Sequence, residues 1–380
     1  MEVEASTEEH AVEIIREGVR ELVATERKES RLKVLNKNRV ALGYTVLDSS
    51  FTRKFVVEQA EILKKKPLPI ERYKQLQNAL IQNEENVNAF LKVNNILFAL
   101  ARDFSGNNPI IQLCAISCAC NIALGNTKAC TSLAKSIGSY LTTELDSLNY
   151  PLVEVSIWTM GNLIAGSNKA FEIFHAQSCL KHIISLMQNC DNMILSAVAY
   201  CAMHYVRVGF QHISKIEMVE LTRVTTERSL SFESSYMIWL LALLSSQEPC
   251  NIYVYNVVPL IVDYLHQSIK NNYTAVTEIT ACIRILANTV QETSGKVAKL
   301  FLENLKYTQL DVETLLNGLL SCQYVHIRKE TLWLIGNLYN HNVISIKNTI
   351  QNIIPKLPSM KQAISSATEQ SILVNADQIS

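Results

Sequence analysis

The chain has 380 residues, 48% of them hydrophobic, with only 11 glycines and 8 prolines, a balance that favours dense helix and excludes intrinsic disorder. Formal net charge is zero, yet Arg16 to Arg39 carries +4 and the remainder −4. That imbalance is too modest for a nucleic-acid-binding domain, which shows its basic patch on the folded body.

In chain order, the acidic opening MEVEASTEEHAVEII lacks the basic n-region and apolar run of a targeting peptide. Residues 1–45 are expected to form an N-terminal unit, and its RKESRLKVLNKNRV stretch, Arg27 to Val40, reads as a basic amphipathic helix. Residues 46–71 are expected to be a linker. Its end, LKKKPLPIE, carries a Lys64–Lys66 run that reads as a solvated linker, with a localisation signal or self-docking segment as the alternative, and two X-Pro bonds expected to hold the chain extended. From 72 to 380 the pattern predicts a single repeat array.

The repeat shows as helical stretches with paired positions four apart, which project from one face of a helix. CAISCACNIALGN places Ser117 before Asn121, SIWTMGNLIAG places Trp158 before Asn162, and SAVAYCAMHYVRVG offers Tyr200 and His204. YMIWLLALLSS offers Trp239 and Leu243, ACIRILANTVQET places Arg284 before Asn288, and HIRKETLWLIGNLYNHN places Trp333 before Asn337. The second anchors fall at 121, 162, 204, 243, 288 and 337, with intervals of 41, 42, 39, 45 and 49 residues. Shorter amphipathic stretches such as LKHIISLMQ and VVPLIVDYLHQ lie between them, and Pro259 sits early enough for a first helical turn. No alternating strand pattern persists, so the expected fold is all-α: a right-handed armadillo-repeat superhelix, an α-solenoid of about seven repeats with a concave groove.

An exposed ladder of asparagines can clamp the backbone amides of an extended peptide, with aromatic faces between them holding the stems of Lys or Arg. The candidate peptide-binding residues are therefore Asn121, Trp158, Asn162, Tyr200, His204, Trp239, Arg284, Asn288, Trp333 and Asn337, to which the resemblance drawn below adds Glu330. The ten cysteines lie mostly in apolar helical runs, where a reduced thiol is a small hydrophobe, which suggests a reducing compartment. SSYMIWLLALLSSQ is too short to span a membrane and reads as a buried helix. No phosphate-loop, zincin or serine-hydrolase signature is present, and CLKH at Cys179 to His182 has no second ligand pair. No enzyme activity, metal or cofactor is expected.

These motifs resemble the importin-alpha family of nuclear import adaptors. SIWTMGNLIAG is similar to that family's W-x-x-x-N helix, IRKETLWLIGN to a later repeat with an acid three before the Trp, here Glu330, and ACIRILANTV to the repeat with Arg in place of Trp, here Arg284. The order of the variants matches as well. RKESRLKVLNKNRV resembles the later part of the family's importin-beta-binding segment, whose trailing basic cluster can fold back into the groove. The resemblance implies importin-beta contacts for Arg27, Lys28, Arg31, Lys33, Lys37 and Arg39, basic localisation-signal peptides in the groove, and a place in cytoplasm and nucleus. The departures, Ser117 for Trp, Gly166 for the acid four after Asn, Leu243 for a polar residue, and a C-terminus without the terminal repeat, fit a divergent importin-alpha-like branch of the transmembrane and coiled-coil domain protein type. The alternative is an armadillo scaffold that binds proteins without reading import signals.

Overall fold

The computed structural model describes residues 39–43, 48–228, 235–304 and 311–366. Among these there is no strand. The helices are α1 (Arg53–Lys65), α2 (Ile70–Gln82), α3 (Glu84–Lys92), α4 (Ile96–Phe104), α5 (Pro109–Ile122), α6 (Thr127–Glu144), α7 (Tyr150–Gly166), α8 (Asn168–Ala176), α9 (Cys179–Asn189) and α10 (Asn192–Gly209). They continue as α11 (Lys215–Glu227), α12 (Ser235–Leu244), α13 (Glu248–Val254), α14 (Val258–Lys270), α15 (Val276–Thr289), α16 (Lys296–Asn304), α17 (Val312–Ser321), α18 (Val325–Tyr339) and α19 (Ile344–Ile353).

The unit α8–α9–α10 shows how sequence sets the repeat. Ser167 caps α8 by accepting from the Ala170 N–H, and Ser178, at φ 56°, turns the chain left-handed between α8 and α9. Asp191 then caps α10 by accepting from the Met193 N–H. Helix α9 buries Cys179, Leu180, Ile183 and Met187, one stripe at three- and four-residue spacing. Each such aliphatic side chain contributes about 1.5–3 kcal/mol when taken fully out of water. Neither helix could bury its stripe alone, so units must stack.

The long third helices do the stacking: α2 packs on α5, α5 on α7, α7 on α10, α10 on α12, α12 on α15 and α15 on α18. The core falls into two clusters that meet at α12, which gives Met237, Leu240 and Leu244 to the one before it and Ile238, Leu241 and Ala242 to the one after. The architecture is an all-α solenoid of armadillo-type units, as the period implies.

Two expectations meet the structure differently. Pro259 does sit in the first turn of α14. The expected linker 46–71 instead contains α1, capped by Thr52 and burying Val56, Ala60 and Leu63, so the packed array starts before residue 72. Lys64 and Lys65 form the last turn of that helix, where cations suit the C-terminal end of the dipole. Within LKKKPLPIE the non-helical part is Lys66 to Pro69, and Leu68 within it is buried. The apolar stretch around Trp239 is the buried helix α12, and among the described residues no helix is long and apolar enough to cross a membrane.

Candidate peptide groove

The groove helices carry the second anchors, and four of these, the asparagines, are fixed to the framework by a common bond. Asn121 Nδ2 donates to the Gln77 carbonyl (2.9 Å), Asn162 to Cys120 (3.3 Å), Asn288 to Ala242 (3.2 Å) and Asn337 to Ala287 (2.8 Å). The last three acceptors are each the residue just before the preceding anchor, 121, 243 and 288. Each Asn thus ties its helix to its predecessor, and at Asn121 and Asn162 the Oδ1 accepts from the chain in the groove. Sequence reasoning treated these side chains as ligand clamps alone; the structure gives them a framework role too.

At the N-terminal end the clamp is closed. Residues 39–43 run along the groove from Asn162 toward Asn121, against the order of the repeats. The Val40 N–H donates to Asn162 Oδ1 (2.9 Å) while Asn162 Nδ2 donates to the Val40 carbonyl (2.7 Å). Two residues on, the Leu42 N–H donates to Asn121 Oδ1 (2.9 Å) and Asn121 Nδ2 donates to the Leu42 carbonyl (2.8 Å). Gln77 adds a bond from Nε2 to the same carbonyl (2.8 Å). The two-residue step matches an extended chain, whose alternate residues face alike. Ala41, between the clamped residues, is exposed. Under this strap Asn121 and Asn162 are fully buried rather than exposed.

Gly43 ends the strap at φ +117°, a conformation open to glycine, and a Cβ there would lie 2.6 Å from Asn78 Oδ1. At the other end Arg39 is buried, with Nη1 donating to the Ala123 carbonyl (2.5 Å) and lying 3.3 Å from Cys130 Sγ. Gly166 makes that pocket. A Cβ on it would stand 2.6 Å from Arg39 Nη1 and 2.5 Å from Cys130 Sγ. The position where the resemblance implied a carboxylate is therefore filled by the guanidinium itself. Burial pushes the Cys130 thiol up and the Cys120 thiol up to about 12, so both stay protonated beside the strap.

Tyr200 and His204 follow at the next rung. Tyr200 is buried and braces the ladder from behind, its hydroxyl donating to Asn162 Oδ1 at 2.7 Å. Trp158 is half-buried against Tyr200 and Tyr236, ring centroids 5.0 and 5.9 Å away. It is the wall of an aromatic cluster rather than a bare face for a ligand stem. His204 packs edge-on to Tyr200 (4.4 Å), buried, with neither ring nitrogen hydrogen-bonded among the described residues. Burial, with help from Arg207 and Arg39, pushes its pKa down to about 3, so the ring is neutral.

The C-terminal end is differently built. Arg284 lies over the Trp239 ring at 5.2 Å and donates from Nε to Glu330 Oε1 (3.1 Å) as well as from Nη2. Glu330, expected to be available to a ligand's lysine, is thus engaged by Arg284, and Trp239 carries an internal cation. Asn288 and Asn337 are half-buried, Trp333 is exposed, and no group among the described residues donates to the Oδ1 of either Asn. Of the expected importin-beta contacts, Arg39 lies in the groove; Arg27, Lys28, Arg31, Lys33 and Lys37 fall outside the described residues. His182 Nδ1 bonds Asp146 Oδ1 (2.9 Å), and the described residues contain no group of three metal-ligand side chains. Gln77 was missed by the sequence reading, although it lies 44 residues before Asn121, one period upstream.

No family model matches the chain, and no curated protein matches it in sequence. Among solved structures, an engineered protein superposes with TM-score 0.61 at 15% identity, covering 76% of this chain and 69% of that one. A designed armadillo repeat protein aligns at TM-score 0.41 and 14% identity over 74% of this chain and 99% of its own. Another designed armadillo repeat protein, in complex with the peptide (KR)4, aligns at 0.40 and 13% over 74% and 98%. The first shares the fold; the other two are too distant to add to that. Fold and groove together define an α-solenoid of armadillo-type units with residues 39–43 lying in its groove.

Proposed function

We propose that this protein is a peptide-binding adaptor of the nuclear-import type whose groove is occupied in cis by its own residues 39–43. The observation that carries this reading is the two-way clamp of Asn162 on Val40 and Asn121 on Leu42. It reads backbone, not sequence, so any extended segment of suitable side chains can use it. A tethered strap acts at an effective concentration of about millimolar, so a ligand in trans must bind well or wait for the strap to be drawn out. The basic segment before the strap is the natural handle. Its resemblance to the importin-beta-binding segment makes importin-beta the proposed partner, and shuttling between cytoplasm and nucleus the proposed location.

A labelled peptide copying residues 37–43 tests this by fluorescence anisotropy against the full chain. Val40→Pro removes the N–H that Asn162 accepts and should loosen the strap, so this variant should bind the peptide about tenfold more tightly than wild type. Adding Asn162→Ala should abolish the gain. No binding by any variant would remove the peptide-groove reading. Importin-beta binding that is lost on replacing Arg27, Lys28 and Arg31 with Ala would support the adaptor; its absence from wild type at low salt would leave the scaffold reading. That second reading is favoured by Gly166 and by the engagement of Glu330 with Arg284, since both remove carboxylates from ligand lysines.

A further inference from the structure

Helices α7 and α18 share one pattern, Trp158-x-x-Gly161-Asn162 and Trp333-x-x-Gly336-Asn337, so their residues correspond one for one. On α7 the side toward the next unit is covered. Val153, Ile157, Gly161 and Ile164 are buried there, and a Cβ on Gly161 would stand 2.6 Å from the Tyr200 ring of α10. The corresponding side of α18 is Arg328, Leu332, Gly336 and Tyr339. Helix α18 packs on α15 behind it and on α17 and α19, yet among the described residues nothing lies within 4 Å of a Cβ on Gly336 beyond the adjoining helix backbone. Tyr339 is 41% exposed where its counterpart Ile164 is fully buried. In a solenoid such a face calls for a neighbour or a cap.

We infer that this face of α18 is a docking site for residues 371–380 of the same chain, bound as a helix across Gly336. The inference goes beyond the peptide-groove reading and does not depend on it. Spacing brings the segment to the place. NVVP, Asn256 to Pro259, and NIIP, Asn352 to Pro355, open matching turns; α15 begins 17 residues after Pro259, and the same count from Pro355 reaches Ile372. Pattern gives it something to bury, because a helix over 371–380 puts Ile372, Ala376 and Ile379 on one stripe. A glycine at the crossing lets that helix come close, with Leu332 and Tyr339 on either side.

Charge selects the same occupant. Residues 367–380 hold Glu369 and Asp377 with no Lys or Arg. The face is flanked by cations: Arg328 is half-buried with its Nε unpaired among the described residues, Lys329 is exposed, and Lys347 Nζ lies 5.8 Å from the Tyr339 ring. A second copy laid antiparallel on α18 would set Arg328 and Lys329 against Lys347, and like charges oppose that pairing. Docking of the chain's own segment adds one more helix beside Trp333, which is 59% exposed.

Amide exchange on the full-length protein, read by mass spectrometry over residues 367–380, tests this. In wild type these amides should exchange at least about tenfold more slowly than an unstructured chain. Gly336→Leu should return them to the fast rate, because the added side chain fills the space the helix needs. That variant displaces nothing among the described residues, and leucine suits a helix interior better than glycine. Ile372→Asp should have the same effect on exchange without altering α18. Fast exchange in wild type overturns the inference, and so does protection that survives either substitution. Protection lost on dilution also overturns it, by assigning the face to a second copy. The Val40 and Leu42 amides report the peptide-groove reading separately, and their rates should be the same in both variants as in wild type.

Discussion

Asn162 and Asn337 each follow a tryptophan by four residues on a groove helix, yet one is sealed under the chain's own backbone and the other is open. Asn162 is fully buried and engages Val40, Cys120 and Tyr200; Asn337 is half-buried and makes one framework bond, to Ala287. One residue type at one repeat position thus serves two functions. The second, holding an extended backbone, is realised only where a strap is supplied. Mutations should separate the halves, beginning where most bonds are lost. Asn162→Ala should lower stability by about 3 kcal/mol, since it leaves buried partners unpaired, and Asn337→Ala by only about 1 kcal/mol. Equal losses in denaturant melts would erase the distinction.

His204 sharpens the comparison through pH. Its folded pKa, about 3, lies below the ordinary 6.5, so protonation favours the unfolded state. The stability that the neutral ring secures is present above pH 6.5 and is lost as pH falls toward 3. The drop should reach roughly 2–3 kcal/mol by pH 4. His204→Leu should flatten that part of the stability profile; an unchanged acid limb would mean the ring is not buried neutral.

Gly166→Ala comes next, at about 2 kcal/mol, because the added Cβ needs the space of Arg39 Nη1 and Cys130 Sγ. Proteolysis near residue 39 should quicken in this variant, and no change would show that the pocket can give. The smallest effect belongs to the open half. Breaking Arg284–Glu330 by Glu330→Gln should cost under about 1 kcal/mol, since the guanidinium is 42% exposed and solvent screens the pair. A larger loss would make it a structural tie rather than a feature of an open surface.

The period of the anchors and the solenoid were legible because every groove helix repeats an apolar frame around its paired positions. So was the ladder at Asn121, Asn162, Asn288 and Asn337. Burial state was not: an extended strap lies in the groove through backbone bonds, which leave no side-chain pattern in residues 39–43. Gly166 was read as a missing acid because one residue cannot reveal that its empty volume houses an arginine from 127 positions earlier. Glu330 was read as free because its partner, Arg284, sits on another helix. Helix α1 was lost to the punctuation of Pro67 and Pro69, which end it but do not forbid it.

Amide hydrogen exchange on the full-length protein tests the central claim most directly, that the Asn ladder holds residues 39–43 in the groove. The account predicts an alternating pattern, with the Val40 and Leu42 amides slowed by at least about tenfold and Ala41 between them exchanging freely. Asn162→Ala should release Val40 first. Uniformly fast exchange at 40, 41 and 42 in the wild-type chain would contradict it.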